Sequence, residues 1–371
     1  MSNKNGEPLV EVKNLSTHFQ VSGGPVKAVD DNSLTLQRGE VLGVVGESGS
    51  GKSTLLRSVM RLIEDPGKIV DGEINYRGNN LVEMSDAELR DIRGDDISFI
   101  FQEPMSHLNP AYTIGEQIDD VLTAHTSMDK SARTNRIHEL LDLVGIPSPE
   151  DRVDAYPHEF SGGMAQRVCI AMALACEPEI LLADEPTSAL DVTIQAQIID
   201  LLTDLQDKLN ISVLWVTHDM GVVAEVCDSI GVMYAGNIVE YGRVTDVFDS
   251  PKHPYTEALL ESVPSHLDNS TRFATIDGSP PELQALPEGC VFQDRCPEAT
   301  EECRTHRPSY FEVGDSDEWT AKCWLHADES AKPASSSAPQ SNPPVENYNE
   351  NDTKVPDENN RPDRTPSEAS K

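Results

Sequence analysis

The chain has 371 residues and a formal net charge of −35, with a sequence pI near 4.4. That length suggests two domains plus a tail, and so acidic a balance excludes the basic footprint of a nucleic-acid binder. No apolar run nears the roughly 18 residues needed to span a bilayer, and the polar start Met1-Ser2-Asn3-Lys4-Asn5 lacks a signal-peptide core, so the chain reads as soluble and cytoplasmic, with any membrane crossing left to other subunits.

In chain order, residues 9–21 read as a strand, with Val10, Val12 and Leu15 set among polar residues. Residues 33–46 hold two more strands, the second being the buried-type run Val41-Leu42-Gly43-Val44-Val45. Lys52 to Leu62 is a helix, and residues 69–101 contain a strand pair around Gly72, a short helix and the apolar run Ile97 to Phe101. From about 103 to 176 the pattern is helical. Glu179–Ala183, Ile211–Val216 and Ile230–Met233 read as buried strands, separated by helices over Ile194–Leu209 and Val222–Cys227. Strands alternating with helices indicate an α/β fold with a mostly parallel sheet. After about 250, Pro, His and Cys rise, and a loop-like stretch from 264 to 289 leads into four cysteines. Residues 329–371 are Pro, Ser, Asn, Ala and charge, too polar to bury a core, and are expected to be a disordered tail.

The strand at 41–45 runs into Gly46-Glu47-Ser48-Gly49-Ser50-Gly51-Lys52-Ser53-Thr54, the spacing of a phosphate-binding P-loop. Glycines at 46, 49 and 51 let backbone N–H groups, among them that of Ser48, converge on phosphate oxygens. Lys52 is positioned for the β- and γ-phosphates, Ser53 for Mg²⁺, and Thr54 opens a helix whose positive end favours an anion. Asp184 ends an apolar strand and can hold Mg²⁺ through water, while the adjacent Glu185 is placed to orient or deprotonate an attacking water. His218 also ends a buried strand, where it can reach the γ-phosphate. Ser161-Gly162-Gly163 opens a helix; Ser161 is a good N-cap, and the bare N–H groups make a second anion site. One chain needs only one phosphate cradle, so the second makes sense if it serves the ATP of another subunit.

These motifs resemble an ABC-transporter ATPase subunit over about residues 7–250. Residues 46–54 match the Walker A loop, Gln102 the Q-loop, Ser161-Gly162-Gly163-Met164 the signature, 180–185 the Walker B strand, Ser188-Ala189-Leu190-Asp191 the D-loop and His218 the switch histidine. Phe19 stands where the family has an aromatic stacked on adenine, and Met164 stands where many members carry Gln. The resemblance implies a P-loop NTPase core of RecA-like type, an antiparallel β subdomain and an inserted helical subdomain. It also implies that two subunits sandwich two ATPs head to tail, with Glu185, His218 and Lys52 catalytic and with Mg²⁺ held by Ser53, Gln102 and Asp184. Phe101 to Pro110 and Ser250-Pro251-Lys252-His253-Pro254-Tyr255-Thr256 are similar to the dipeptide/oligopeptide/nickel importer branch. The domains expected are thus residues 1–250, the ATPase with its helical subdomain at about 103–176; residues 251–328, a small Cys-rich extension; and the tail. The partners implied are two membrane permeases, a paralogous or identical ATPase subunit and an extracytoplasmic solute-binding protein, which would put the chain peripherally on the cytoplasmic face of the cell membrane. Peptide import is the cargo favoured, with oligosaccharides and nickel as alternatives; a soluble ABC ATPase or an iron–sulfur redox sensor are readings of other classes.

Cys169, Cys176 and Cys227 lie in apolar helical patterns and read as core. Cys290, Cys296, Cys303 and Cys323 form C-x5-C-x6-C-x19-C in a loop-rich segment. A cytoplasmic chain argues against disulfides, and the paired C-x2-C of structural zinc is missing. Four irregularly spaced cysteines suit a [4Fe–4S] cluster with a structural role, and the same arrangement resembles the cluster site of this importer branch; zinc and free thiols are the alternatives.

Residues 330–371 carry a net −2, which leaves −33 on the remainder, where lysine is scarce, with 12 in the whole chain against 17 arginines. The excess reads either as an ordinary soluble acidic protein or, preferably, as a halophile's cytoplasmic protein, because the Debye length is about 3 Å at 1 M salt and self-repulsion is quenched there. The chain is therefore expected to lose structure when moved from molar to dilute KCl. A circular-dichroism melt that stays the same in both would contradict this.

Overall fold

The computed structural model describes residues 8–328 apart from 189, 263–275, 315 and 317; the tail expected over 329–371 lies outside these residues. The chain begins with β1 (Val10–Val21) and β2 (Gly24–Leu36), and β3 (Val41–Val45) runs into α1 (Lys52–Val59). β4 (Gly67–Tyr76), β5 (Asn79–Asn80), α2 (Asp86–Ile92) and β6 (Ile97–Ile100) follow. The helical block is α3 (Pro104–His107), α4 (Ile114–His125), α5 (Lys130–Leu143), α6 (Pro149–Arg152) and α7 (Gly162–Ala173). Then come β7 (Ile180–Asp184), α8 (Val192–Leu209), β8 (Ser212–Thr217), α9 (Met220–Val226), β9 (Ser229–Tyr234) and β10 (Asn237–Arg243). The C-terminal extension supplies α10 (Val244–Asp249), α11 (Pro254–Glu261), α12 (Glu301–Thr305) and the short strands β11 (Phe311–Glu312) and β12 (Thr320–Ala321).

Two sheets form. One is antiparallel, in the order β2-β1-β4-β5; the other has the order β11-β12-β10-β9-β3-β8-β7-β6, parallel from β9 to β6. Every residue of β3, β7, β8 and β9 is buried, as strands covered on both faces require, and their sequences are accordingly continuous apolar runs rather than alternating ones. Leu42, Val44, Leu182 and Leu214 pack toward the antiparallel sheet and α1, whereas Leu181, Val213 and Trp215 pack toward the helical block. One face of the parallel sheet is thus covered by the antiparallel sheet and α1, and the other by the helical block. Thr113, Ser161 and Asp191 cap α4, α7 and α8 with their side-chain oxygens, each satisfying N–H groups that a helix start leaves open.

Three details depart from the sequence pattern. β2 begins nine residues before the strand expected at 33, because residues 22 and 23 form a two-residue hairpin turn with Gly23 at φ 102° and Val21 paired to Gly24. β4 is continuous through Gly72 rather than a pair of strands around it. Gly72, at φ 94°, sits where β1 slips register between Lys13 and Ser16, and a Cβ there would lie 2.6 Å from the Lys13 and Asn14 carbonyl oxygens. The glycine marks a bulge, not a turn. The helix from Lys52 stops at Val59, three residues before Leu62.

The extension joins the edge of the parallel sheet: β12 pairs with β10 through Glu240↔Ala321 and Tyr241↔Thr320. The fully buried Glu240 carboxylate accepts the N–H groups of Lys252 (2.9 Å) and His253 (2.8 Å) and the indole N–H of Trp319 (3.0 Å). Burial raises its pKa and the three donors oppose that rise. A buried acid with this many partners is tolerated, and it bolts three points of the extension to one strand of the ATPase sheet.

Candidate nucleotide site

The P-loop links the end of β3 to α1, and its glycines are required by contact. A Cβ on Gly46 would lie 2.0 Å from the Met233 carbonyl oxygen, and one on Gly51, which has φ 104°, would lie 2.0 Å from the Ala28 carbonyl oxygen. The loop is therefore wedged between β2 and β9. It borders an open cleft of about 480 Å³ lined by Ser48, Gly49, Gly51, Lys52, Ser53, Thr54, Gln102, Glu185 and His218, with Ala28 and Leu283. That volume suits a nucleotide-sized ligand.

Inside the cleft the Lys52 ammonium donates to the carbonyl oxygens of Gly46 (2.8 Å) and Glu47 (3.0 Å). Burial lowers its pKa, while Glu185, Asp184 and Glu47 pull it back up. The Ser53 hydroxyl donates to Asp184 Oδ1 at 2.7 Å. Asp184 is fully buried at the end of β7, and burial raises its pKa. Its other oxygen, Oδ2, has no hydrogen-bond partner among the described residues, and the nearest cation is Arg57 at 3.8 Å. A buried carboxylate oxygen left open beside a serine hydroxyl is the donor set a hard divalent cation takes, so these residues fit Mg²⁺. Glu185 follows with φ 44°, a left-handed conformation that costs a non-glycine residue about 1 kcal/mol or more. Its N–H donates to the Val216 carbonyl of β8 (2.9 Å), and its Oε2 receives Gln102 Nε2 (3.2 Å) and meets His218 Nδ1 (3.2 Å). The strained turn carries the carboxylate past the sheet edge into the cleft, between the side chains of two other strand ends.

The sequence-expected residues thus divide into two groups. Lys52, Ser53, Gln102, Asp184, Glu185 and His218 meet at one cleft. Ser161, Gly163 and Asp191 do not line it: Ser161 and Asp191 cap α7 and α8, and Gly163 packs against Ile194, where a Cβ would come within 2.5 Å of the side chain. Phe19 is half-buried on β1 against Gly67 and likewise lies outside the lining. Leu283, from the loop-like stretch, was not anticipated; a lone leucine among Pro, Glu and Gln carries no signal of its own.

Cys290, Cys303 and Cys323 are buried and Cys296 is half-buried, all in the apolar cluster under the extension. Burial, aided by the neighbouring thiols, raises the Cys290 thiol to about 11 and the Cys323 thiol to about 12. The Cys290 N–H donates to the Cys303 carbonyl at 2.7 Å. The four cysteines thus share one apolar cluster. Among the described residues, however, no three Cys, His, Asp or Glu side chains gather closely enough for a single metal ion.

A P-loop, an acidic strand end and a strand-end histidine around one cleft define an ATPase of the P-loop class. Comparison with known proteins narrows the class. The ABC transporter profile matches residues 29–188, and that of the oligopeptide/dipeptide transporter C-terminal region matches residues 239–303. The dipeptide transport ATP-binding protein DppD of Haemophilus influenzae is 48% identical over 325 residues, covering 88% of this chain and 98% of that protein. The oligopeptide transport ATP-binding protein OppD of Bacillus subtilis is 49% identical over 320 residues, covering 85% and 88%. Among solved structures, a dimeric ATP-binding cassette in a post-hydrolysis state, bound to ADP and Pi, matches with a TM-score of 0.58 at 31% identity, over 63% of this chain and 98% of that one. The chain belongs to the ABC transporter ATP-binding proteins of the oligopeptide/dipeptide transporter family. No described helix is long and apolar enough to cross a membrane.

Proposed function

We propose that this chain is the ATP-hydrolysing subunit of an importer for di- and oligopeptides. The observation that carries the reading is the convergence of Lys52, Ser53, Gln102, Asp184, Glu185 and His218 on one cleft of a chain that also has the peptide-transporter C-terminal region. Lys52 releases its two loop carbonyls to bind the β- and γ-phosphates. Ser53, Asp184 and Gln102 hold Mg²⁺. Glu185 takes the proton of the attacking water, and His218 hydrogen-bonds the γ-phosphate. The adenine base stacks on Phe19. Ser161, Gly163 and Asp191, which do not line their own chain's cleft, face the ATP of a second subunit, either a paralogue or another copy. The partner set is two permeases and an external solute-binding protein, with this subunit on the cytoplasmic face of the membrane. The acidic surface is that of a halophile's protein.

Copurification of the subunit from its own membranes in high salt, followed by Mg-ATPase assay of the complex in lipid, tests the cargo. Receptor with short peptides should stimulate turnover. Stimulation by oligosaccharides or Ni²⁺ instead would replace the cargo, and a preparation without permease would contradict the transporter role.

The four thiols of the extension hold a [4Fe–4S] cluster in this reading. Their donor chemistry fits one. The spacing C-x5-C-x6-C-x19-C, which lacks the paired C-x2-C of structural zinc, favours it over zinc. When bound, the cluster cross-links a small, loop-rich segment with little core of its own. Anaerobically prepared protein should contain iron and absorb broadly near ~400 nm; zinc in its place, or no metal, would remove the cluster.

A further inference from the structure

Glu47, the first variable residue of the P-loop, is held from outside the loop through both its main chain and its side chain. Its N–H donates to the Tyr255 hydroxyl at 3.1 Å, and its carboxylate receives both terminal nitrogens of Arg295, at 2.8 and 3.0 Å. Both partners lie in the C-terminal extension, 208 and 248 residues away. The Arg295 side chain is only 5% exposed, and every nitrogen has a partner. Nη1 also reaches the Tyr234 hydroxyl at 3.2 Å; Nη2 and Nε donate to the carbonyl oxygens of Ile276 and Asp277, each at 3.0 Å. A bidentate, partly buried guanidinium–carboxylate pair is geometrically specific.

The same guanidinium therefore grips two structures that border the cleft. One is the P-loop, at the residue whose carbonyl oxygen also receives Lys52 Nζ. The other is the segment starting at Ile276, which runs on to Leu283 in the cleft wall. That segment is fastened to the antiparallel sheet by the Lys27 N–H on the Leu283 carbonyl (3.0 Å) and by Gln284 Nε2 on the Ser22 and Gly24 carbonyls. Arg295 precedes Cys296 and lies over the ring of Tyr234, whose own neighbours are Tyr255 at 4.6 Å and Phe292 at 5.2 Å.

We propose that Arg295 is a positioning residue for nucleotide binding, fixing the P-loop through Glu47 and the cleft wall through the segment from Ile276 to Leu283, so that the C-terminal extension sets nucleotide affinity within its own chain. The inference rests on the nucleotide reading of the cleft. Without Arg295, the loop and the Leu283 wall must be ordered by the nucleotide itself, and the ordering cost appears as lost affinity. The chemical step, carried by Glu185 and His218, is not touched.

Calorimetric titration of the full chain with MgADP tests this. Charge-assisted bonds of this kind contribute enough that Arg295→Met should weaken MgADP binding about ten-fold, with KM for ATP rising and kcat kept. Arg295→Lys, which keeps the charge but not the fork, should recover part of the loss. In a Glu47→Gln background, Arg295→Met should cost less than it does in the parental chain, because the part of its effect that runs through the Glu47 carboxylate is already weakened while the grip on the Ile276 and Asp277 carbonyls remains. Tyr255→Phe removes only the hydroxyl that holds the Glu47 N–H and should itself weaken MgADP by about three-fold, which keeps the test open if Arg295→Met does not fold. Parental affinity in Arg295→Met or in Tyr255→Phe, or losses that simply add in the double variant, would overturn the proposal. Failure of the parental chain to bind MgADP would instead overturn the nucleotide reading.

Discussion

The P-loop is wedged between two carbonyl oxygens, those of Ala28 on β2 and Met233 on β9, with no room for a side chain at Gly51 or Gly46. This contact ties together parts of the molecule far apart in sequence. β2 belongs to the antiparallel sheet and β9 to the parallel one. Two main-chain hydrogen bonds reinforce the wedge: Gly236 N–H to the Ser50 carbonyl, and Asp30 N–H to the Gly236 carbonyl, both at 2.8 Å. The loop can present its N–H groups to an anion only because both sheets hold its outer side. The apolar packing of β3 and α1 then decides where Lys52 and Ser53 point.

The cleft concentrates like charges around few cations. Asp184 and Glu185 are adjacent, and the fully buried Asp184 is offset by Ser53 and, more distantly, by Arg57. Such an arrangement is costly while a carboxylate oxygen stays unpartnered. A divalent cation on that oxygen would offset the cost, which is the ligand chemistry the proposed function assigns to these residues. The left-handed backbone at Glu185 has the same character, since local strain is kept where it aims a functional group.

The motifs were legible in the sequence because each needs only local context. A buried strand delivers its last residue to the sheet edge, so Asp184 and His218 could be placed from Ile180-Leu181-Leu182-Ala183 and Ser212 to Val216 alone. The start of β2 was not legible, since Gly23-Gly24-Pro25 reads equally as a loop, and Gly72 looked like a turn because a bulge is defined by the partner strand. Least legible were contacts across long separations. Nothing in Glu47 or Arg295 marks a pair 248 residues apart, and Leu283 enters the cleft from a stretch with no periodicity. The four cysteines read as a set from their spacing alone, whereas their mutual distances depend on the packing of Val291, Phe292 and Trp319 under β9 and β10.

In the proposed function the cleft is half of a site, completed by Ser161, Gly163 and Asp191 of a second subunit. The direct test is sedimentation equilibrium of the Glu185→Gln chain in high salt with and without MgATP. That variant keeps the shape of the proposed base but not its proton affinity, so ATP should bind and stay. A monomer is expected without nucleotide and a dimer with it, retaining unhydrolysed ATP. A monomer at saturating MgATP, or release of phosphate at the parental rate, would contradict the proposed sandwich or the proposed role of Glu185 respectively.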